Sequence, residues 1–238
     1  MSNSRYKKVF AARNLAPYLG PFPDMVMCDD VANAPASARW LHLSSKCKHL
    51  DALETLKNLR RIHCTLEDGL LDHLARIPRL DWLQISLPRS DEIPSIRSLQ
   101  QISTLVVRCN KHQSSLKFLT GLDNLKSLCI SSAMGVSRLT PLGGLQQLCE
   151  LYIDGTNSGR NTVQTLAPLA KLQNLRYAML LLRVEKRNRT LKHLRTLRKL
   201  SFLHLSHDYT DADYDALLEK LPRLSMIRFN GGMRWPPT

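Results

Sequence analysis

The chain has 238 residues, of which 43% are hydrophobic and 23% are charged. This length and composition suffice for one sizeable buried core and exclude a chain that is disordered throughout. The formal net charge of +14 favours contact with acidic surfaces but carries no information about the fold.

We expect no export or membrane signal in the first residues. The basic start MSNSRYKKVFAARN is not followed by an apolar run of signal-peptide length, and no run of about eighteen apolar residues, the length of a membrane span, occurs anywhere. We therefore expect a cytoplasmic protein without a membrane span. The six cysteines are then expected to be reduced thiols.

Residues 1–38 are predicted to form an amino-terminal cap. Four prolines (Pro17, Pro21, Pro23 and Pro35) punctuate this segment, and the stretch PDMVMCDD is a candidate for an extra strand. A cap is needed because the repeats that follow cannot cover their own ends.

From Trp40 onward, leucine or isoleucine recurs at every third residue. Clear copies are LDALETLKNLRRIHC (50–64), LKFLTGLDNLKSLCI (116–130) and TLKHLRTLRKLSFLHL (190–205). An α-helix turns about 100° per residue, so a three-residue spacing would spread these leucines over half of the helix. The period therefore indicates a chain path with near three-fold geometry.

Each copy ends in a predicted strand, and the strands recur at intervals of 21 to 27 residues. Their first core residues are Leu41, Ile62, Leu83, Leu105, Leu128, Leu151, Ala178, Leu203 and Ile227. A repeat of about 20 to 29 residues with this leucine spacing resembles the leucine-rich-repeat family, over residues 40–230. The copies LTPLGGLQQLCELYI and LAPLAKLQNLRYAML are similar to the short repeats of bacterial internalins.

This resemblance implies an α/β solenoid. The expected architecture is a leucine-rich-repeat horseshoe with a parallel, concave β-sheet of about nine short strands and a convex side of 3₁₀ and short helices. We assign residues 39–230 to the repeat domain and residues 231–238 to a carboxyl-terminal tail, where prolines stop further pairing. Before the last strand, TDADYDALLEKLPRL predicts an α-helix capped by Thr210 or Asp211.

Alternation along each strand predicts which side chains face the concave side. The candidate partner-binding residues there are Trp40, His42, Arg61, His63, Trp82, Arg108, Glu150, Tyr152, Asp154, Tyr177, Phe202, His204 and Arg228. Solvent-facing aromatics with arginines are typical of binding hot spots, with Trp82, Tyr152 and Tyr177 as anchors. Alternatively, the aromatics pack against one another across strands and stabilise the sheet.

The stretch from Arg183 to Leu200 is strongly basic. Its leucines follow the repeat, so we expect its basic side chains to cover the convex surface: Lys186, Arg187, Arg189, Lys192, Arg195, Arg198 and Lys199. Alternatively, they form a secondary site for a polyanion. The inserted loop at residues 154–165 is either a binding loop or a tolerated surface insertion.

Catalytic and cofactor signals are weak. The chain has no phosphate-binding glycine loop, and the neighbouring Cys47–His49 and His63–Cys64 pairs lack a second pair at metal-ligand spacing. Cys129 could be a nucleophile and Glu150 with Asp154 an acid pair. Neither has a base or an oxyanion donor that is visible in the sequence. We therefore expect no enzyme, no metal and no cofactor.

The sequence favours a non-enzymatic, monomeric protein that captures a protein partner on its concave face. A basic chain suits an acidic or neutral partner better than a basic one. By analogy with small bacterial repeat proteins, an immunity protein or inhibitor of a cognate toxin or enzyme is the sharpest role. The alternatives are nucleic-acid or acidic-surface binding through residues 183–200, and a scaffold or regulatory subunit of an enzyme complex.

Overall fold

The computed structural model describes residues 24–90, 92–155, 161–205, 209–225, 227–229 and 232–234, without the side chains of residues 228, 229 and 232–234. Residues 1–23 of the predicted cap, residues 156–160 of the predicted loop and residues 231 and 235–238 of the predicted tail lie outside that range. The Arg228 side chain, a predicted binding group, lies outside it too.

All nine predicted strands are present and lie side by side in chain order. The described strands are β1 (Val26–Asp30), β2 (Trp40–Lys48), β3 (Arg61–Thr65), β4 (Trp82–Ser86), β5 (Thr104–Arg108), β6 (Ser127–Ser131), β7 (Glu150–Asp154), β8 (Thr162–Val163), β9 (Tyr177–Leu181), β10 (Arg183–Val184), β11 (Phe202–Leu205), β12 (Ile227–Phe229) and β13 (Gly232–Arg234). The nine predicted strands are β2 to β7, β9, β11 and β12, all in parallel pairs. The horseshoe that the resemblance to leucine-rich-repeat proteins implies is confirmed.

The core lies between this sheet and the return paths. The first core residues of the strands pair with one another in register, as Ile62 with Leu83 and Leu83 with Leu105, and all three are fully buried. The return paths contain α1 (Leu70–Ala75), α2 (Asp211–Lys220) and 3₁₀ helices at Val31–Asn33, Leu50–Thr55, Lys117–Leu119, Thr140–Gly144, Ala167–Lys171, Lys186–Asn188 and Lys192–Thr196. Three-fold helical geometry keeps every third leucine on the inner side.

The amino-terminal edge of the sheet is β1, the extra strand expected from PDMVMCDD. It pairs in parallel with β2, for example through Val26 and Leu41. Between the pairs Cys28–Leu43 and Asp30–Lys48, β1 advances by two residues and β2 by five. Strand β2 therefore bulges between Leu43 and Lys48, next to the end of β1.

The carboxyl-terminal edge differs from the prediction. The predicted tail contains β13, which pairs antiparallel with β12 through Phe229 and Gly232. The expectation that β12 ends the sheet is wrong, because two residues, Asn230 and Gly231, suffice to connect antiparallel strands. Asn-Gly between two strands is the strongest short hairpin signal.

A small second sheet and the longer α-helix accompany the main sheet. Strands β8 and β10 form a separate parallel pair in which Val163 and Val184 are buried. Helix α2 begins at the predicted cap, since Thr210 Oγ1 accepts a hydrogen bond from the Asp213 amide at 3.2 Å.

Candidate functional site

The concave surface consists of the sheet side chains that alternate with the core residues. Register places His42 beside His63, and His63 beside Gln84. The same row continues through Val106, Cys129 and Tyr152. Residues that lie one repeat apart in sequence therefore become neighbours on this surface, as the repeat predicts.

The two tryptophans among the candidate partner-binding residues lie on this face of the sheet but are buried. Trp40 is 6% exposed and Trp82 3% exposed, and their rings meet edge to face with centroids 5.3 Å apart. They pack with Val106 and Cys129, which are 0% and 1% exposed. The expectation of solvent-facing tryptophans is wrong, and the alternative of cross-strand packing describes both rings.

A second apolar cluster lies on the later strands. Phe202 and Met179 are buried there, and Tyr152, Tyr177 and Leu181 pack against them. Phe202 therefore also contradicts the expectation of exposed aromatics. Tyr152 and Tyr177 are half-buried, and Tyr152 also packs against the tryptophan cluster.

Among the concave charges whose side chains the structure describes, the most accessible are Arg61 on β3 and Arg108 on β5, both exposed. The Arg61 guanidinium lies over the Trp40 ring, 5.3 Å from its centroid. This cation–π contact orients the Arg61 side chain. No carboxylate of the residues described lies within ion-pairing distance of either arginine.

A histidine pair lies on β2 and β3, and its second member, His63, is two residues from Arg61 along β3. The rings of His42 and His63 stack with centroids 4.1 Å apart, and Gln84 Nε2 lies 3.3 Å from His63 Nε2. Burial, and then the neighbouring His42 and Arg108, lower the pKa of His63 to about 4. His63 therefore adds polar, uncharged ring atoms to a cationic surface at neutral pH.

The acidic residues of the surface lie on β7. Glu150 Oε2 accepts a hydrogen bond from Ser127 Oγ at 2.9 Å, and Asp154 Oδ2 accepts one from the Tyr152 hydroxyl at 3.3 Å. Two strand spacings, about 10 Å, separate β7 from β5 and its Arg108. The concave surface is thus cationic over β3 to β5 and anionic at β7.

The remaining predicted site residues lie at the far end of the surface. His204 on β11 is half-buried and lies between Met179 and Arg228 in the strand register. Gln84, which contacts His63, was not among the candidate partner-binding residues. Its position one repeat after His63 was the available signal.

The thiols of the sheet are poorly suited to catalysis. Burial raises the pKa of Cys129 well above its usual value, and burial raises that of Cys64 to about 12. Both groups are therefore protonated at neutral pH, whereas a nucleophilic or metal-bound cysteine acts as the thiolate. Throughout the part of the chain that the structure describes, no three His, Cys, Asp or Glu side chains are grouped to hold a metal ion.

The basic stretch is part of the repeat's return path, as predicted. Leu191, Leu194, Leu197 and Leu200 are buried. Of the seven basic residues predicted to cover the convex surface, Arg195 is half-buried and six are exposed: Lys186, Arg187, Arg189, Lys192, Arg198 and Lys199.

Several of these basic groups contact the chain itself. Arg187 Nε pairs with Glu185 Oε2 at 3.1 Å, Arg198 donates to the Lys220 carbonyl oxygen, and Lys199 Nζ donates to Asn174 Oδ1 at 2.7 Å. Of these three contacts only the one with Glu185 is an ion pair, so Arg198 and Lys199 keep their charge while some of their donors are occupied.

The structure is similar to solved bacterial repeat proteins. An internalin from Listeria monocytogenes, internalin F, superposes with a TM-score of 0.52 at 16% identity over 82% of this chain. Internalin C2 of the same organism gives 0.51 at 24% identity over 75% of this chain and 74% of its own. The chain has the leucine-rich-repeat fold. A leucine-rich-repeat protein of Leptospira interrogans gives 0.54 at 20% identity over 83% of this chain.

The leucine-rich-repeat chain is shorter than most of these structures. It spans 63% of the internalin F chain and 50% of the Leptospira chain. No protein-family profile and no curated protein sequence matches it. Neither described α-helix is long and apolar enough to cross a bilayer.

Proposed function

We propose that this protein binds a protein partner on its concave surface and catalyses no reaction. The observation that carries the proposal is the pair of exposed arginines, Arg61 and Arg108, which face the surface without an ion pair to any described carboxylate. An exposed cation next to apolar surface gains most from an acidic partner group.

The partner we propose presents an acidic segment to β3 to β5. It also places neutral or basic groups near Glu150 and Asp154 on β7, so that each charged region of this surface faces a region of the partner that does not repel it. Tyr152 on β7 and Tyr177 on the next strand, β9, are half-buried and supply apolar contact with an adjacent hydroxyl. Trp40 and Trp82 support the surface from below and keep Arg61 in place.

Within this class we favour a bacterial immunity protein or inhibitor that acts as a cytoplasmic monomer and neutralises a toxin or enzyme. The alternative is a scaffold or regulatory subunit of an enzyme complex. Both roles use the same surface. The identity of the captured protein distinguishes them: a toxin or hydrolase indicates inhibition, and a subunit of a stable assembly indicates a scaffold.

Parallel capture from a lysate of the source cells tests the proposal. The baits are the wild type, the double variant Arg61→Glu/Arg108→Glu, and the charge-matched control Lys186→Glu/Lys192→Glu, whose two lysines are exposed in the basic stretch. We expect a partner that the wild type and the control retain and the arginine variant loses. A partner retained by all three baits, or lost only by the control, contradicts the concave site.

A second candidate function is nucleic-acid binding by the basic stretch. It is favoured by the exposure of Lys186, Arg189 and Lys192, since a close group of cations binds polyanions with release of counterions. A mixed-sequence, fluorescein-labelled RNA strand titrated at about 150 mM salt tests it. Binding that Lys186→Glu/Lys192→Glu removes and Arg61→Glu/Arg108→Glu preserves would support this function. Absence of binding at that salt concentration contradicts it.

A further inference from the structure

Two cysteines meet where the amino-terminal edge strand joins the repeats. Cys28 lies on β1 and is buried, whereas Cys47 lies on β2 and is partly exposed. Their sulfur atoms are 4.0 Å apart, which is van der Waals contact. The bulge in β2 brings them together, because β2 advances by five residues while β1 advances by two.

We infer that Cys28 and Cys47 are a redox-modification site at which a low-molecular-weight disulfide converts the two thiols into an intramolecular disulfide. The bond requires the sulfurs to approach from 4.0 Å to about 2.05 Å. The half-exposed Cys47 side chain lies at the bulge, where rotation about its side-chain torsion angle displaces little of the core.

The reaction balances as two successive exchanges. Cys47 loses its proton to solvent, and its thiolate attacks one sulfur of the small disulfide, so that one thiolate leaves and a mixed disulfide forms. Cys28 then loses its proton and attacks Cys47 Sγ, which breaks the mixed disulfide and expels the second thiolate. The protein loses two hydrogen atoms, and the reagent is reduced to two thiols.

The surroundings of Cys47 make this oxidation slow at neutral pH. Burial raises the pKa of Cys47 to about 12, and Cys28, Asp30 and Asp29 contribute in the same direction. Because only the thiolate attacks a disulfide, the rate should rise steadily with pH up to that value. The site therefore responds to sustained oxidation rather than to brief exposure.

The bond would fasten the edge of the solenoid. It closes the loop of residues 28–47, which contains the 3₁₀ helix Val31–Asn33 and most of β2, including the concave residues Trp40 and His42. Each repeat contacts only its neighbours, so a solenoid opens from its ends. A cross-link at this end opposes the separation of β1 and holds the first part of the concave surface.

Oxidation of the reduced full-length protein with glutathione disulfide tests the inference. Peptide mapping by mass spectrometry should locate the loss of two hydrogen atoms to the peptides that hold Cys28 and Cys47. Amide hydrogen exchange at Val26–Asp30 should slow, and the melting temperature should rise by about 3 to 8 °C.

Two variants control this experiment. Cys47→Ser, a near-isosteric change at a half-exposed position, should form no cross-link, whereas Cys149→Ser, at another half-exposed thiol, should behave as the wild type. The inference is overturned if the wild type accumulates glutathione on Cys47 without forming the internal bond. A bond between other cysteines, or unchanged exchange in β1 after oxidation, overturns it equally.

Discussion

The imidazole rings of His42 and His63 stack at the concave surface with their planes inclined by 24°. The two residues are 21 positions apart in the sequence, one full repeat, and pair in register between β2 and β3. Two protonated rings at this separation would repel each other. Stacking is therefore tied to the neutral state of His63, whose pKa is lowered to about 4.

This relationship predicts a pH-dependent stability. Above pH 6.5, His63 is neutral in both the folded and the unfolded chain and contributes no pH dependence. As the pH falls from 6.5 to 4, the unfolded chain takes up a proton that the folded chain excludes, so stability falls over this window. Because the ring is half-exposed, solvent screening limits the loss to about 1 kcal/mol between pH 7 and pH 5.

Urea unfolding at pH 7 and pH 5 measures this loss. Other groups also titrate, so the informative quantity is the difference between the wild type and His63→Gln, which should lose less stability on acidification. His112→Gln, at an exposed histidine, should retain the wild-type loss. An identical loss in the His63 variant contradicts the account of the pair.

Replacement of Trp82 tests the packing on the concave surface. Because its ring is 3% exposed and contacts Trp40, Trp82→Ala should lower the free energy of unfolding by about 3 to 5 kcal/mol. Trp82→Phe should lose less, since most of the apolar contact remains. Chemical denaturation monitors both variants, and an alanine variant as stable as the wild type would show that the ring is not buried.

The cap of helix α2 is a separate determinant of stability. Thr210 Oγ1 accepts from the Asp213 amide at 3.2 Å and donates to Asp213 Oδ2 at 2.8 Å. Thr210→Ala removes both bonds and should destabilise the protein by about 1 kcal/mol. Thr210→Ser keeps the hydroxyl and should be close to wild type in thermal unfolding. Equal losses in both variants would assign the effect to the threonine methyl group.

The sequence predicted the repeat correctly because leucine at every third residue fits no α-helix. The same periodicity set the register, so the row from His42 to Tyr152 follows from the interval between repeats. Alternation identifies the face on which a side chain lies, but it does not specify how deeply neighbouring rings cover one another. For that reason Trp40, Trp82 and Phe202 were expected to be exposed and are buried.

The differences at the edges have other causes. Strand β13 was missed although Asn230-Gly231 is a hairpin signal, because the prolines that follow suggested a tail. Strands β8 and β10 contain two residues each, which is too short for any alternation to be visible. The contact between Cys28 and Cys47 depends on a bulge in β2, and the sequence pattern contains no sign of it.

The affinity of the captured partner for the charge variants tests the central claim most directly. Isothermal titration calorimetry at fixed salt would compare the wild type, Arg61→Glu/Arg108→Glu and Lys186→Glu/Lys192→Glu, with circular dichroism to verify folding. We predict that the arginine variant raises the dissociation constant at least about tenfold and that the lysine variant leaves it nearly unchanged. A loss confined to the lysine variant would contradict binding on the concave surface.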